Sequence, residues 1–279
     1  MTEDFSNLKG DERLQAENDF LKMKLMIEKG AHFGVGDDNI PLPPEIENQF
    51  LHNILKFEEQ MESPVVTTVY DRLNQPTQFK PVSEIPDEQI EEAWEELSDH
   101  LLEHSIRLDV CSPNISSREL YRFATEEFFK IEMNVVDIPG MMNCFIYDEF
   151  HPDPVYETSR LVEHSLFRDI FSKRNLFYVI YYAGNGFTFN NKFYSERKSF
   201  TEVIDRFKSL HSAIKMEACH ITQCIVSEGA SVVRGNYKAS AKAGNEKIFF
   251  AGDFLIELST NEMDYWNFKK INIEGFEPG

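Results

Sequence analysis

Apolar positions recur every three to four residues through most of the first half of the chain and every second residue toward its end, so helices come first and a sheet closes the sequence. From Asp11 to Lys29, Phe20, Met23 and Ile27, with Leu21 and Leu25 beside them, keep helical spacing, and Gly30 supplies a stop. Pro43-Pro44 opens a second helix whose stripe is Ile46, Phe50, Ile54, Phe57 and Met61, an amphipathic face that must pack on something. Pro86–His104 is a third helix, with Ile90, Trp94, Leu97 and Leu101 on one side. Short extended pieces lie around Val65–Tyr70, at Ile106–Val110 and at Cys144–Phe150. Ser116 and Glu119 have the spacing of a capping box and start a fourth helix through Leu120, Phe123, Phe128 and Ile131.

After the rigid connector His151-Pro152-Asp153-Pro154, Thr158–Ser172 reads as a helix burying Val162, Leu166 and Ile170. Leu176–Tyr182 and Phe187–Tyr194 flank Gly184-Asn185-Gly186, a strong hairpin signal. Ser199–Ile214 returns to helix with the stripe Phe200, Val203, Phe207 and Leu210. Four strand-like runs follow at 216–228, 230–241, 246–258 and 263–273, and the short turns between them make a meander of antiparallel neighbours.

Strand alternation divides each run into two rows. Ile248, Phe250, Gly252, Phe254, Ile256 and Leu258 form an inward row, as do Val233, Gly235, Tyr237, Ala239 and Ala241, because their alternates carry Arg234 and Lys238. Parity is less decisive in 216–228. If its even row faces inward, His220 is the lone imidazole on the concave side.

Charge changes the picture of organisation. Residues 1–157 hold 12 Lys and Arg against 34 Asp and Glu, whereas 158–279 hold 16 against 14, so the net charge of −20 belongs to the first part. A boundary is expected there, between an acidic mixed α/β region (1–157) and a second domain (158–279). The acidic part cannot drive counterion release from phosphate backbones, which argues against nucleic acid as a partner. No apolar run reaches roughly 18 residues, so no membrane span is expected. The opening Thr2-Glu3-Asp4 is unlike a secretory signal, which makes a cytoplasmic location the expectation. The four cysteines form no CxxC pair and read as reduced thiols.

Chemistry-bearing residues are sparse. His100 and His104, with Glu96 or Glu103, could share a metal, but the spacing equally fits a solvated helix face. Cys219, His220 and Cys224 fall on opposite strand faces. Asp148, Glu149, His151 and Asp153 lack the spacing of a known cation loop. No GxSxG, P-loop or dinucleotide fingerprint occurs, and Gly34-Val35-Gly36-Asp37-Asp38 lacks a third glycine. No metal and no cofactor are expected. His220 with Tyr237 is the candidate catalytic pair, a desolvated imidazole beside a phenol that can donate to a substrate oxygen. The helix at 86–104 carries Glu91, Glu92, Glu95, Glu96, Asp99 and Glu103 with no Lys or Arg, a solvated face or a docking surface for a basic protein.

The order helix, hairpin, helix and four long strands in 158–279, with Gly252-Asp253-Phe254-Leu255-Ile256-Glu257-Leu258, Tyr265-Trp266 and Ile271-Asn272-Ile273-Glu274-Gly275-Phe276, resembles the NTF2-like superfamily. That α+β fold is shared by nuclear transport factor 2, ketosteroid isomerases and SnoaL-like cyclases. The resemblance implies a curved sheet wrapped on helices with an apolar pocket in the cone, for which Phe250, Phe254, Tyr265 and Trp266 are candidate ligand-binding residues. It does not imply catalysis. The expected function is a non-catalytic binding protein for a small apolar molecule or a protein partner, with a homodimer through the C-terminal sheet as one possibility. The alternatives are an isomerase or dehydratase working in the cone and an acidic adaptor or inhibitor of a basic protein.

Overall fold

The computed structural model describes residues 10–33, 42–174 and 183–278 of this α+β chain. It divides into two compact units, Met1–Phe150 and His151–Gly279. A division at 157/158 would cut a helix that runs from Pro154 to Arg160. The expected loop at Gly34-Val35-Gly36-Asp37-Asp38 and the expected strand at Leu176–Tyr182 lie outside the described residues.

The first unit opens with helices α1 (Asp11–Lys29) and α2 (Pro44–Glu62). Their contacts run early to early and late to late, so the pair is parallel. Buried Asn18 donates to the Pro44 carbonyl at 2.9 Å and to Glu47 at 3.0 Å, and accepts from Asn48 at 2.9 Å. Near the other end Lys29 meets Glu62 at 2.5 Å. Leu21, Leu25 and Leu51 form the small core between them. The expected packing of the α2 stripe is met only in part, because Ile46 and Phe50 are exposed.

The rest of this unit is built on β1 (Val66–Thr68), α3 (Ile90–Glu103), β2 (Ile106–Asp109), α4 (Ser117–Glu126), β3 (Glu132–Asn134) and β4 (Asn143–Ile146). β1 pairs antiparallel with β3, and β2 parallel with β4. The stripe of α3 does what its spacing requires: Ile90, Leu97 and Leu101 are buried with Ile106, Phe123 and Phe128. Ser116 caps α4 by accepting from the Glu119 N–H at 3.3 Å, a contact worth about 1 kcal/mol. The Glu119 carboxylate is gripped by Arg122 at 2.6 and 2.7 Å and accepts from the Tyr147 hydroxyl at 2.9 Å.

The second unit begins at α5 (Pro154–Arg160), capped by Asp153, which accepts from the N–H groups of Val155 and Tyr156. The helix continues through a π-helical stretch, Leu161–Phe167, into Arg168–Ile170. Val162, Leu166 and Ile170 are buried as expected. Then come β5 (Ala183–Phe189), β6 (Lys192–Tyr194), α6 (Arg197–Ser209), β7 (Ala213–Ser227), β8 (Ala230–Ala243), β9 (Glu246–Thr260) and β10 (Trp266–Ile273). One sheet holds all six strands in the order β6-β5-β10-β9-β8-β7. Only β5 and β10 run parallel. This is the helix, hairpin, helix and meander order on which the NTF2-like resemblance rests.

Two local expectations are corrected. Gly184-Asn185-Gly186 lies inside β5, and the chain turns instead at Asn190-Asn191, both in the left-handed region at φ 43° and 64°. Asn tolerates that region, so Asn-Asn serves as the hairpin turn. Asn190 also staples the turn to the end of β10, donating to the carbonyls of Ile273 and Phe276 and accepting from the Ile273 N–H at 2.7 Å. In α6, Phe200, Ile204 and Phe207 are buried while Leu210, just past its last residue, is 65 % exposed.

Candidate functional site

One face of the six-stranded sheet is covered by α5, its continuation and α6. β8 and β9 pair from Ala230–Ser259 to Ala243–Glu246 without a break, so their alternation holds. Val233, Gly235, Tyr237, Ala239 and Ala241 point to the covered face, with Phe250, Phe254, Ile256 and Leu258 from β9; Ile248 lies at the margin, 38 % exposed. That side is filled by rings. Phe167 meets Phe254 at 4.7 Å between centroids, Phe171 meets Tyr237 at 5.4 Å and Phe276 at 4.7 Å, and Phe207 meets Phe250 at 5.7 Å. Each buried ring contributes about 1.5 to 3 kcal/mol relative to leaving it in water.

The candidate catalytic pair does not assemble. β7 bulges between Met216 and Ala218 and again between Ile221 and Gln223, and each bulge inverts the alternation. Ile214 and Met216, then Cys219 and Ile221, then Cys224 pack against the core. His220 therefore faces out, exposed and opposite Asn236, whereas Tyr237 is buried on the other side opposite Cys219. The Tyr237 hydroxyl donates to the Glu274 carbonyl at 2.8 Å, and burial pushes its pKa up to about 12. Burial likewise raises the Cys219 thiol to about 12.

The four candidate ligand-binding residues separate too. Phe250 and Phe254 belong to the ring-filled core. Tyr265 sits on the turn before β10, 56 % exposed. The half-buried Trp266 donates its indole N–H to Glu157 at 3.1 Å.

On the open face a hollow of about 560 Å³ lies across β8, β9 and β10, bounded by Arg234, Asn236, Asp253, Leu255, Asn272 and Glu274. Two glycines permit close backbone packing beside it. A Cβ on Gly235 would strike the His220 carbonyl oxygen and the Phe254 ring, and one on Gly252 would lie 2.5 Å from the Glu274 carbonyl oxygen. Only glycine allows these backbones so close. Arg234 donates to Gln223 at 3.0 Å, leaving the rest of its guanidinium toward the hollow. The Asn272 side-chain oxygen is buried without a donor among the described residues. The arrangement can receive a polar group that donates to Asn272 and offers charge to Arg234 or Asp253. The adjoining Asn272 was legible only as part of a strand, since a lone Asn carries no sequence signal of its exposure.

The remaining constellations have structural partners. His104 donates to the His100 carbonyl at 2.9 Å and faces the Asn74 amide at 3.1 Å. Asp148 accepts from the N–H groups of Cys111 and Ser112, ordering that loop. Cys224 contacts the Thr158 hydroxyl at 3.3 Å. Among the described residues no three His, Cys, Asp or Glu side chains converge as a metal site, and no helix is long and apolar enough to cross a membrane. On α3 the carboxylates Glu92, Glu95, Glu96 and Asp99 are exposed opposite its buried stripe.

No family model matches the sequence, and no curated protein matches it. Among solved structures the chain is similar to an NTF-2 like protein of unknown function from Shewanella oneidensis, at 14 % identity over 43 % of this chain and 98 % of that one, TM-score 0.33. It is also similar to a DUF4783 family protein from Bacteroides uniformis (11 % identity, 42 % and 98 % covered, TM-score 0.29). A protein of unknown function from Mycobacterium tuberculosis is a third (12 % identity, 45 % and 77 % covered, TM-score 0.34).

Proposed function

We propose that the protein is a non-catalytic interaction protein that meets its partner, a second copy of itself, through the open face of its C-terminal sheet. The observation that carries this reading is the placement of Phe193 and Phe249, each 66 % exposed, and Ile225, 49 % exposed. By strand register all three project from the open face, Phe193 opposite Thr188, Phe249 opposite Ser240 and Ile225 opposite Val232. Exposed aromatic side chains in a polar surround are what protein interfaces use as anchors.

The same face bears Arg234, Lys238, Lys242 and Lys247 together with Glu217, Asp253 and Glu257. A two-fold arrangement sets each side chain against its counterpart's neighbours, so both signs on one patch allow it to be self-complementary. The isomerase reading has less support, because His220 lies outside the cone and Tyr237 is committed to the backbone. A small apolar ligand in the cone has less support because rings already occupy it.

Sedimentation equilibrium of the full chain tests the proposal. A dimer that Phe249→Glu and Phe193→Glu each convert to monomer, with unchanged circular dichroism, is the expected result. A monomer of 32.5 kDa across the accessible concentration range overturns it.

A further inference from the structure

The hollow on the open face of the C-terminal sheet holds opposite charges apart. Pairing aligns Arg234, Leu255 and Asn272 in one row across β8, β9 and β10, and Asn236 with Asp253 in the next. Arg234 and Asp253 are thus diagonal neighbours on adjacent strands, yet neither has an ion-pair partner among the described residues. The guanidinium leans the other way, toward β7, where it donates to Gln223 at 3.0 Å. With strands about 4.8 Å apart and a two-residue offset along them, the two charges stand roughly 10 Å apart. Between them the half-buried Leu255 gives the floor an apolar strip.

A further feature lies at the acidic end. The Asn272 side-chain oxygen is buried and accepts from no donor among the described residues. An unpaired buried acceptor is destabilising, and turning the amide into the hollow toward an incoming N–H relieves it. Asn272 is the diagonal neighbour of Asp253, and Glu274 follows close by, its backbone N–H donating to the Asp253 carbonyl at 2.9 Å. That end therefore accepts several N–H bonds and favours a cation, while the Arg234 end favours an anion. A molecule carrying only one charge leaves the other end unanswered.

We propose that the hollow binds a short peptide as its zwitterion, with the terminal carboxylate on the Arg234 guanidinium and the terminal ammonium between Asp253 and Asn272. Three extended residues span about 10 Å, the separation of the two ends. The hollow of about 560 Å³ is large enough for such a molecule, and a central aliphatic side chain rests on Leu255. The Asn236 amide, which both donates and accepts, meets the peptide groups in between. Every one of these residues comes from a single copy of the chain. The site is therefore tested separately from the self-association proposed for the rest of this face.

The probe is glycyl-leucyl-glycine, titrated by calorimetry into the full chain and into Phe249→Glu, so that a second copy lying on the face cannot hide the site. One molecule should bind per chain, saturably. Acetylating the N-terminus of the probe or amidating its C-terminus should each weaken binding about tenfold. Arg234→Gln should weaken the free tripeptide by a similar factor and the amidated one no further. Asp253→Asn should weaken the free tripeptide likewise and the acetylated one no further. Absence of binding to both proteins overturns the proposal, as do blocked probes that bind as well as the free one, or a loss in either variant that persists with the matching blocked probe. Sedimentation keeps the two readings apart. A monomer that binds the tripeptide keeps this site and removes self-association, whereas a dimer that ignores it, and whose Phe249→Glu form ignores it too, does the reverse.

Discussion

Tyr237 and Glu274 are joined across two strands by a hydrogen bond from a buried phenol to a backbone carbonyl, at 2.8 Å. The acceptor lies where β10 gives way to the turn at Gly275, so the phenol fixes the end of the sheet's central region. Replacing Tyr237 by Phe keeps the ring and strands the carbonyl. The expected cost is about 1 to 3 kcal/mol, read from chemical denaturation. A change within error would mean that water takes the hydroxyl's place.

Alkaline pH should unfold the protein earlier than free side chains would suggest. Cys219, Tyr147 and Tyr237 are each raised to about 12 by burial, from ordinary values of 9.0 for the thiol and 10.0 for the phenols. Raised folded values mean that the unfolded chain releases these protons first. Their contribution is complete below pH 9 and is lost as pH climbs toward 12. Lys208, pushed down by burial, works in the opposite sense and softens the decline. Cys219→Ala should move the onset of the decline from about pH 9 to about pH 10, followed by melting temperature against pH. An identical profile would remove the thiol from the account.

Gly235→Ala should destabilise the second unit by about 2 kcal/mol or more, because the added carbon meets a backbone oxygen that cannot swing aside. Gly244→Ala meets nothing within 4 Å, yet its φ of 58° strains any other residue. It should cost only about 1 kcal/mol. Equal losses would show that backbone conformation, and not crowding, governs Gly235.

A fragment beginning at His151 should melt cooperatively, and one beginning at Thr158 should be markedly less stable. The shorter piece loses Asp153, the cap of α5, together with Pro154, whose carbonyl accepts from the Thr158 hydroxyl at 2.7 Å. Thermal melts of the two fragments side by side decide it. Equal stability would place the working boundary at the charge change.

Sequence periodicity revealed most of this architecture, and where it misled the cause is local. The rows of β8 and β9 were legible because no bulge interrupts their pairing. His220 was misplaced because Glu217 and Thr222 each add a residue to β7, and nothing in their side chains announces it. The hairpin was misplaced because Asn-Gly outranks Asn-Asn as a turn signal, while the structure rewards Asn190 for its three bonds to the end of β10. The parallel setting of α1 and α2 depends on contacts between residues some thirty positions apart, such as Asn18 and Asn48, which helical spacing cannot reveal. The hollow was invisible for a related reason: it lies across three strands brought together by pairing, whereas the residues around it look like ordinary strand alternates.

The bulges of β7 have an effect reaching past His220. β7 is a long strand at the rim of the sheet, with β8 as its single ladder partner among the described residues. A straight rim of that length is a template for adding strands from other chains without limit, which is how fibres grow. Two interruptions of the ladder spacing, with Lys215 and Glu217 exposed beside the first, break the rim into runs of four or five residues, too short to template a long incoming strand. The irregularity that hides this strand's facing from the sequence thus also blunts its rim, and deleting both Glu217 and Thr222 would restore a straight edge open to strand addition.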